Sequence, residues 1–183
     1  MRGEYRHRAR LCLFGLLSLA VMALIFCLSA QNGADSGRLS SGFLASPLGR
    51  LLTRVLPRLT DRGEGWDIRK YAHMSEYGLL GASAFLFLAE LFRWQERGRA
   101  ALMALAFSFL YACSDELHQL FVPGRGGCFP DVLVDSAGYT GGVLMALAGA
   151  RLAIRKKNVR SQRRFDGEKS SWQSILLLKK RKN

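Results

Sequence analysis

Two histidines and five acidic side chains fall at spacings that helices would bring onto shared faces. His73 and Glu76 stand at i and i+3, so a helix sets them one above the other. Asp115, Glu116, His118 and Gln119 form one short string. On a helix Asp115, His118 and Gln119 share a face, and Glu116 points about 100° away. Asp131 and Asp135 stand at i and i+4. Carboxyl and imidazole groups at this density suit general acid–base chemistry, which makes Glu76, Asp115, Glu116, His118, Asp131 and Asp135 the candidate catalytic groups. His73, His118 and Asp115 also make a donor set for a divalent metal, the one cofactor these residue types suggest. Gln119, His73 and Arg125 are candidate substrate-binding residues, with Arg125 suited to a phosphate or carboxylate. The competing reading of the same residues is a hydrogen-bonded plug that only holds helices together.

The elements that must carry these groups are apolar. The chain has 183 residues, 49% of them hydrophobic, which excludes a disordered chain and allows one ordinary domain. Four cysteines without paired spacing exclude a disulfide scaffold or a zinc ribbon. Residues 11–34 carry no charge, enough to cross a hydrocarbon core of about 30 Å. Bulky Phe26 and the Leu28-Ser29-Ala30 string make a poor cleavage site, so an uncleaved helix is expected rather than a signal peptide. Three further uncharged runs, 77–89, 100–114 and 136–150, are too short to span alone and reach about 20 residues only by taking in ionisable residues at one end. The expected fold is all-α: an integral membrane bundle of four transmembrane helices over about 11–30, 71–91, 100–120 and 131–150.

The formal charge is +13, from 27 Lys and Arg against 14 Asp and Glu. With a cytoplasmic N-terminus, Arg2, Arg6, Arg8 and Arg10, the loop 93–99 and the tail from Arg151 all lie inside. The positive-inside rule favours that orientation, with both termini cytoplasmic. Attraction to membrane lipids then accounts for the basic tail, residues 156–183, and no nucleic acid is needed. Between the first two spans lies an outer loop, 31–70. In it Phe43, Leu44, Leu48, Leu51, Leu52, Val55, Leu56 and Leu59 recur at helical spacing, with Arg50, Arg54 and Arg58 on another face. Ser46-Pro47 reads as an N-cap followed by proline at the first helical position. The loop is expected to carry an amphipathic helix that covers the bundle. Gly78 and Gly81-Ala82, with Gly138 and Gly142, offer small faces for close helix packing. Tyr71, Tyr77, Tyr111 and Trp66 read as interface aromatics, and His7, among arginines, as solvated. The segment from Trp172 to Leu178 is short and apolar between charges.

Because the four helices alternate in direction, the polar groups can be compared by depth. His73, His118 and Asp131 are expected near the outer interface, with Glu76, Asp115 and Asp135 about one turn deeper, some 4–6 Å. His-x-x-Glu and Asp-x-x-His are mirror-ordered, as antiparallel helices need to bring His beside His and acid beside acid. Acids held together in partial desolvation require a proton, a cation or an arginine, and Arg125 is one candidate.

The strings Lys70-Tyr71-Ala72-His73-Met74-Ser75-Glu76-Tyr77-Gly78, Ser114-Asp115-Glu116-Leu117-His118-Gln119-Leu120-Phe121-Val122-Pro123-Gly124-Arg125 and Asp131-Val132-Leu133-Val134-Asp135-Ser136-Ala137-Gly138 resemble the VanZ-like family of small bacterial membrane proteins. Ser29, Gln31 and the serine-rich stretch after them are similar to that family's N-terminal pattern. The resemblance covers about residues 10–150 and implies a multi-pass protein of the bacterial plasma membrane, with residues 1–155 as the family domain. The namesake is associated with resistance to the glycopeptide teicoplanin, through a biochemical mechanism that is not established. An envelope-acting enzyme that takes a lipid-linked or cell-wall precursor, and a non-enzymatic binding or assembly protein with a structural polar cluster, both fit. The bundle suits a monomer or a homo-oligomer.

Overall fold

The computed structural model describes residues 1–55 and 68–180, with no strand among them. The uncharged run becomes the greater part of α1, Arg2–Ser29, which starts well before the apolar segment and carries the basic N-terminal residues. The expected loop helix divides in two, α2 (Gly33–Ala45) and α3 (Pro47–Val55). Asn32 caps α2 by accepting from Asp35 N at 2.8 Å. Ser46 caps α3 as its sequence suggests: its hydroxyl accepts from Gly49 N at 3.1 Å and Pro47 opens the helix. Leu56, Arg58, Leu59 and Trp66 lie outside the described residues, as do the side chains of Leu48, Leu52 and Val55. Then come α4 (Ile68–Leu91), α5 (Arg97–Gln119) and α6 (Phe129–Lys180).

Polar contacts fix the helix directions. His7 near the start of α1 bonds Glu90 near the end of α4 at 3.0 Å. Ser29 at the end of α1 bonds Asp115 near the end of α5 at 2.9 Å. Thus α1 and α5 run one way and α4 the other. On α6, Gly138 meets Met74 and Gly142 meets Gly78, in step along α4. Those contacts set α6 parallel to α4, so the four long helices alternate. A Cβ on Gly142 would run into the Gly78 carbonyl oxygen, so the two backbones touch where the sequence placed its small residues. Val21, Ile25, Tyr77, Leu80, Ala112, Val132 and Tyr139 form the buried core. Tyr77 is therefore an interior residue and not an interface aromatic: it is fully buried, its ring 6.4 Å from that of Tyr111. Tyr111 in turn donates to the Met22 carbonyl at 2.7 Å.

Among the described residues three helical stretches are long and apolar enough to cross a membrane: Gly3–Ser29, Arg97–Gln119 and Phe129–Arg163. Leu13, Leu16, Leu19, Leu102, Leu110, Leu144 and Met145 are exposed along them, the outward apolar surface of a membrane protein. α4 is of similar length but is not among the three: its first turns carry Arg69, Lys70, His73, Ser75 and Glu76, and Glu90 interrupts its other end. It compensates by burial, with Tyr77, Leu80, Phe85 and Ala89 fully enclosed.

The chain divides into two units, Met1–Ala146 and Leu147–Asn183. The first holds the core and both clefts described below. The second is the end of α6, which stays helical to Lys180 where the sequence suggested a tail; Arg151, Arg155, Lys156, Arg160 and Arg163 are exposed on it.

At the end of the bundle away from the polar cluster, His7 is not simply solvated. Its Nδ1 and the Trp94 indole N–H, at 2.6 Å, both meet buried Glu90. The turn between α4 and α5 holds Arg93 and Trp94 at φ of 50° and 62°, a conformation that non-glycine residues seldom adopt. Arg93 donates both terminal nitrogens to the Glu4 carboxylate.

Candidate functional site

The polar residues singled out from the sequence gather where α1 ends, α2, α4 and α6 begin, and α5 ends. Asp115, Glu116, Gln119 and Asp135 are all buried. Burial of four such side chains at one helix end is costly unless each finds a partner. Asp115 Oδ2 accepts from the Ser29 hydroxyl at 2.9 Å and from Gln119 Nε2 at 3.0 Å. Glu116 Oε2 accepts from Cys128 N at 2.7 Å, and its other oxygen lies 3.5 Å from Gln119 Nε2. Glu116 thus turns inward, although an ideal helix puts it about 100° from Asp115; the backbone of the α5–α6 loop supplies the donor that allows it. Asp135 is 2% exposed and lines the cleft below.

Arg125 ties the site together. It donates Nε–H to the Gln31 carbonyl at 3.0 Å, Nη1–H to Gln119 Oε1 at 3.4 Å, and Nη2–H to the Leu28 carbonyl and the Ser36 hydroxyl, both at 2.9 Å. Those four bonds use four of the five donors of a guanidinium. They splice the α5–α6 loop onto the junction of α1 and α2, next to a backbone bond from Gly33 N to the Pro123 carbonyl at 3.2 Å. Gly124 makes the turn at φ 73°, a left-handed conformation that glycine adopts without steric cost. Burial lowers the Arg125 pKa from its usual value; nearby Arg69 pushes the same way, and Asp115 and Glu116 oppose it. An arginine keeps its charge through such shifts.

A polar cleft of about 210 Å³ opens beside this splice, lined among others by Arg69, His73, Glu116, Arg125, Asp131 and Asp135. Lys70 closes one side through an ion pair with Asp131 at 2.8 Å. His73 Nδ1 lies 4.0 Å from Glu76 Oε2, and that oxygen and His118 Nδ1 are buried without a hydrogen-bond partner. A second, more apolar cleft of about 420 Å³ lies between α2 and the first turns of α4, and Arg69, His73 and Arg125 line it too.

The structure brings His73, Glu116, Gln119, Arg125, Asp131 and Asp135 around one cleft, with Asp115 directly behind it. Glu76 faces the apolar cleft instead. His118 lines neither: it turns toward α1, where its ring stacks on Phe26 with centroids 4.7 Å apart. His73 thus faces the clefts and His118 the ring of Phe26, so the two histidines have different surroundings. Among the described residues no three His, Cys, Asp or Glu side chains are placed to hold a metal ion, so His73, His118 and Asp115 do not form a ligand shell. Sequence reasoning missed Ser36 and Lys70 as members of the site, and took Ser29 and Gln31 only for parts of a motif. Ser29 carried a signal, as a hydroxyl at the end of an uncharged span in a chain with surplus acids. Ser36 carried none, because only the fold brings it to Arg125.

A family model described as VanZ/LLP1 matches residues 14–152. No curated protein matches the chain, and no solved structure does. The matched span runs from within α1 into α6 and contains every polar residue of the cluster.

Proposed function

The chain belongs to the VanZ/LLP1 family, and from that premise we propose that it works in the bacterial plasma membrane on a cell-envelope precursor at the outer face. The observation that carries this reading is the convergence of Asp115, Glu116, Gln119, Arg125, Asp131 and Asp135 at one end of helices otherwise clad in exposed apolar residues. Charged groups in or near a membrane span are expensive and are retained for function. In this reading α4 is the fourth span, supported by its place against α1 and α6 and its alternating direction. The basic residues of the N-terminus and of the 93–99 loop lie at the opposite end from the cluster, which supports cytoplasmic termini under the positive-inside rule. Asp135 is taken as the acid–base group among the three carboxyl residues that line the cleft, because Asp131 is paired with Lys70 and Glu116 with Cys128 N, and Asp115 and Glu116 position Gln119.

Two measurements test the reading. In a variant that keeps Cys128 as its only cysteine, a membrane-impermeant maleimide is expected to label intact cells, because Cys128 is exposed beside the cluster. Labelling only after lysis would place the cluster inside. Teicoplanin susceptibility of a host expressing the chain is expected to change, and Asp135→Asn to abolish that change at unaltered abundance. Full effect in that variant removes Asp135 from the chemistry.

A second reading, a non-enzymatic binding or assembly protein, is favoured by the way Ser29, Asp115, Gln119 and Arg125 satisfy one another within the protein. Under it, substitutions in the cluster act only in proportion to lost stability.

A further inference from the structure

The two clefts share Arg69, His73 and Arg125 and differ in character. The larger has walls of Leu28, Leu39, Phe43 and Ala72, and Leu39 and Phe43 are exposed at its mouth. Its volume of about 420 Å³ falls in the range of small-molecule sites. The smaller is polar, and its far wall carries the carboxyl groups of Glu116 and Asp135. Between them stands a half-buried guanidinium whose four bonded acceptors, two backbone carbonyls, an amide and a hydroxyl, are all neutral. Gln119 uses its amide nitrogen on Asp115 and its oxygen on Arg125, so the nearest acids are held by neutral donors and do not ion-pair with the arginine.

We propose that the joined clefts hold one membrane amphiphile, its hydrocarbon chain between α2 and α4, its anionic group at Arg125 and Arg69, and a hydroxyl-bearing head in the polar cleft. Each part of the site matches one part of that molecule. The apolar walls take a chain. Arg125 makes no ion pair with the nearest acids and keeps one of its five N–H donors for a phosphate diester. Carboxylate oxygens accept hydrogen bonds from hydroxyl groups. In a chain with three helices apolar enough to cross a membrane among its described residues, the surrounding bilayer is the source of such a ligand. The inference deepens the proposed function, on which it rests, by naming the substrate class.

The test is native mass spectrometry on the full-length protein in detergent, with phosphatidylglycerol, phosphatidylcholine or inorganic phosphate as probes. Wild type is expected to retain one phosphatidylglycerol about tenfold better than phosphatidylcholine, and to keep it in excess inorganic phosphate. Ala72→Trp fills an exposed wall of the apolar cleft and leaves every bond of Arg125 in place. It is expected to cost about tenfold in retention at unchanged thermal stability. Equal retention of the two lipids, or retention untouched by Ala72→Trp, overturns the proposal. Displacement by inorganic phosphate overturns it too, and leaves a plain anion site. Selective retention in a chain that never alters teicoplanin susceptibility supports the clefts and removes the functional reading. Susceptibility that depends on Asp135 without selective retention removes the clefts alone.

Discussion

Ser29, the last residue of α1, donates its hydroxyl to Oδ2 of Asp115 near the end of α5 at 2.9 Å, and Ser29 is fully buried. The bond joins helices that are far apart in sequence and lie side by side in the bundle. It also supplies one of the two donors to that carboxylate oxygen. Ser29→Ala is expected to lower stability by about 1–2 kcal/mol, the usual cost of leaving a buried acceptor short of a partner. Ser29→Thr keeps the hydroxyl and is expected to recover part of it. Thermal unfolding in detergent reads both; a neutral Ser29→Ala would show that Gln119 alone suffices for Asp115.

Gln119 is harder to replace. Gln119→Leu matches its bulk but takes away the donor to Asp115 and the acceptor for Arg125. A loss of about 2–4 kcal/mol is expected, since buried Asp115 and half-buried Arg125 each lose a bond. Gln119→Glu restores an acceptor for Arg125 and places a third carboxyl beside Asp115 and Glu116. Its deficit is therefore expected to shrink as pH falls and the introduced carboxyl takes up a proton. Stability measured at two pH values checks this.

Arg125→Lys separates charge from geometry. The ammonium keeps the charge and loses the planar fork that reaches the Leu28 and Gln31 carbonyls together. Hydrogen exchange is expected to rise by about tenfold in 29–36 and 121–128, with the 93–99 turn unchanged. Uniform protection across the chain would show that Arg125 is not the splice.

Adjacent glycines on α6 make opposite predictions. A Cβ on Gly141 meets nothing within 4 Å, whereas one on Gly142 collides with the Gly78 backbone. Gly141→Ala is expected to be neutral or to stabilise by up to about 1 kcal/mol through helix propensity. Gly142→Ala is expected to cost about 1–3 kcal/mol by forcing α4 and α6 apart. Equal effects at the two positions would contradict the close approach.

At the opposite end, Glu90→Leu leaves the Trp94 indole N–H and His7 without their shared acceptor. A loss of about 2–3 kcal/mol is expected, and Glu90→Gln, which retains an acceptor, is expected to lose less. Tryptophan fluorescence during thermal unfolding follows the change.

The four long helices, their alternation and the level of the polar groups were legible because an uncharged run must be helical in lipid and its ionisable residues must collect at an end. The cap at Ser46 and the glycine face were legible for equally local reasons. What was not legible depended on rotation about helix axes. An ideal helical wheel put His118 with Asp115 and Glu116 apart from them. The α5–α6 loop reversed this by offering Cys128 N to Glu116, while Phe26 offered His118 a ring to stack on. The partners of Glu90 were hidden because His7 and Trp94 are brought to it by tertiary contacts alone. Arg125 was marked as charged but not as a splice, because backbone carbonyls leave no trace in composition.

The Arg125 splice also has a consequence in time. Leu28, Gln31 and Ser36 leave the ribosome early, and Arg125 follows about ninety residues later, as sequence separations of 97, 94 and 89 in its bonds require. Until the α5–α6 loop is made, the Leu28 and Gln31 carbonyls at the end of α1 lack the Arg125 guanidinium, and α5 carries acids that lack part of their donor set. Closure of this end therefore waits for Arg125, and its polar wall is complete only when Asp131 and Asp135 of α6 follow.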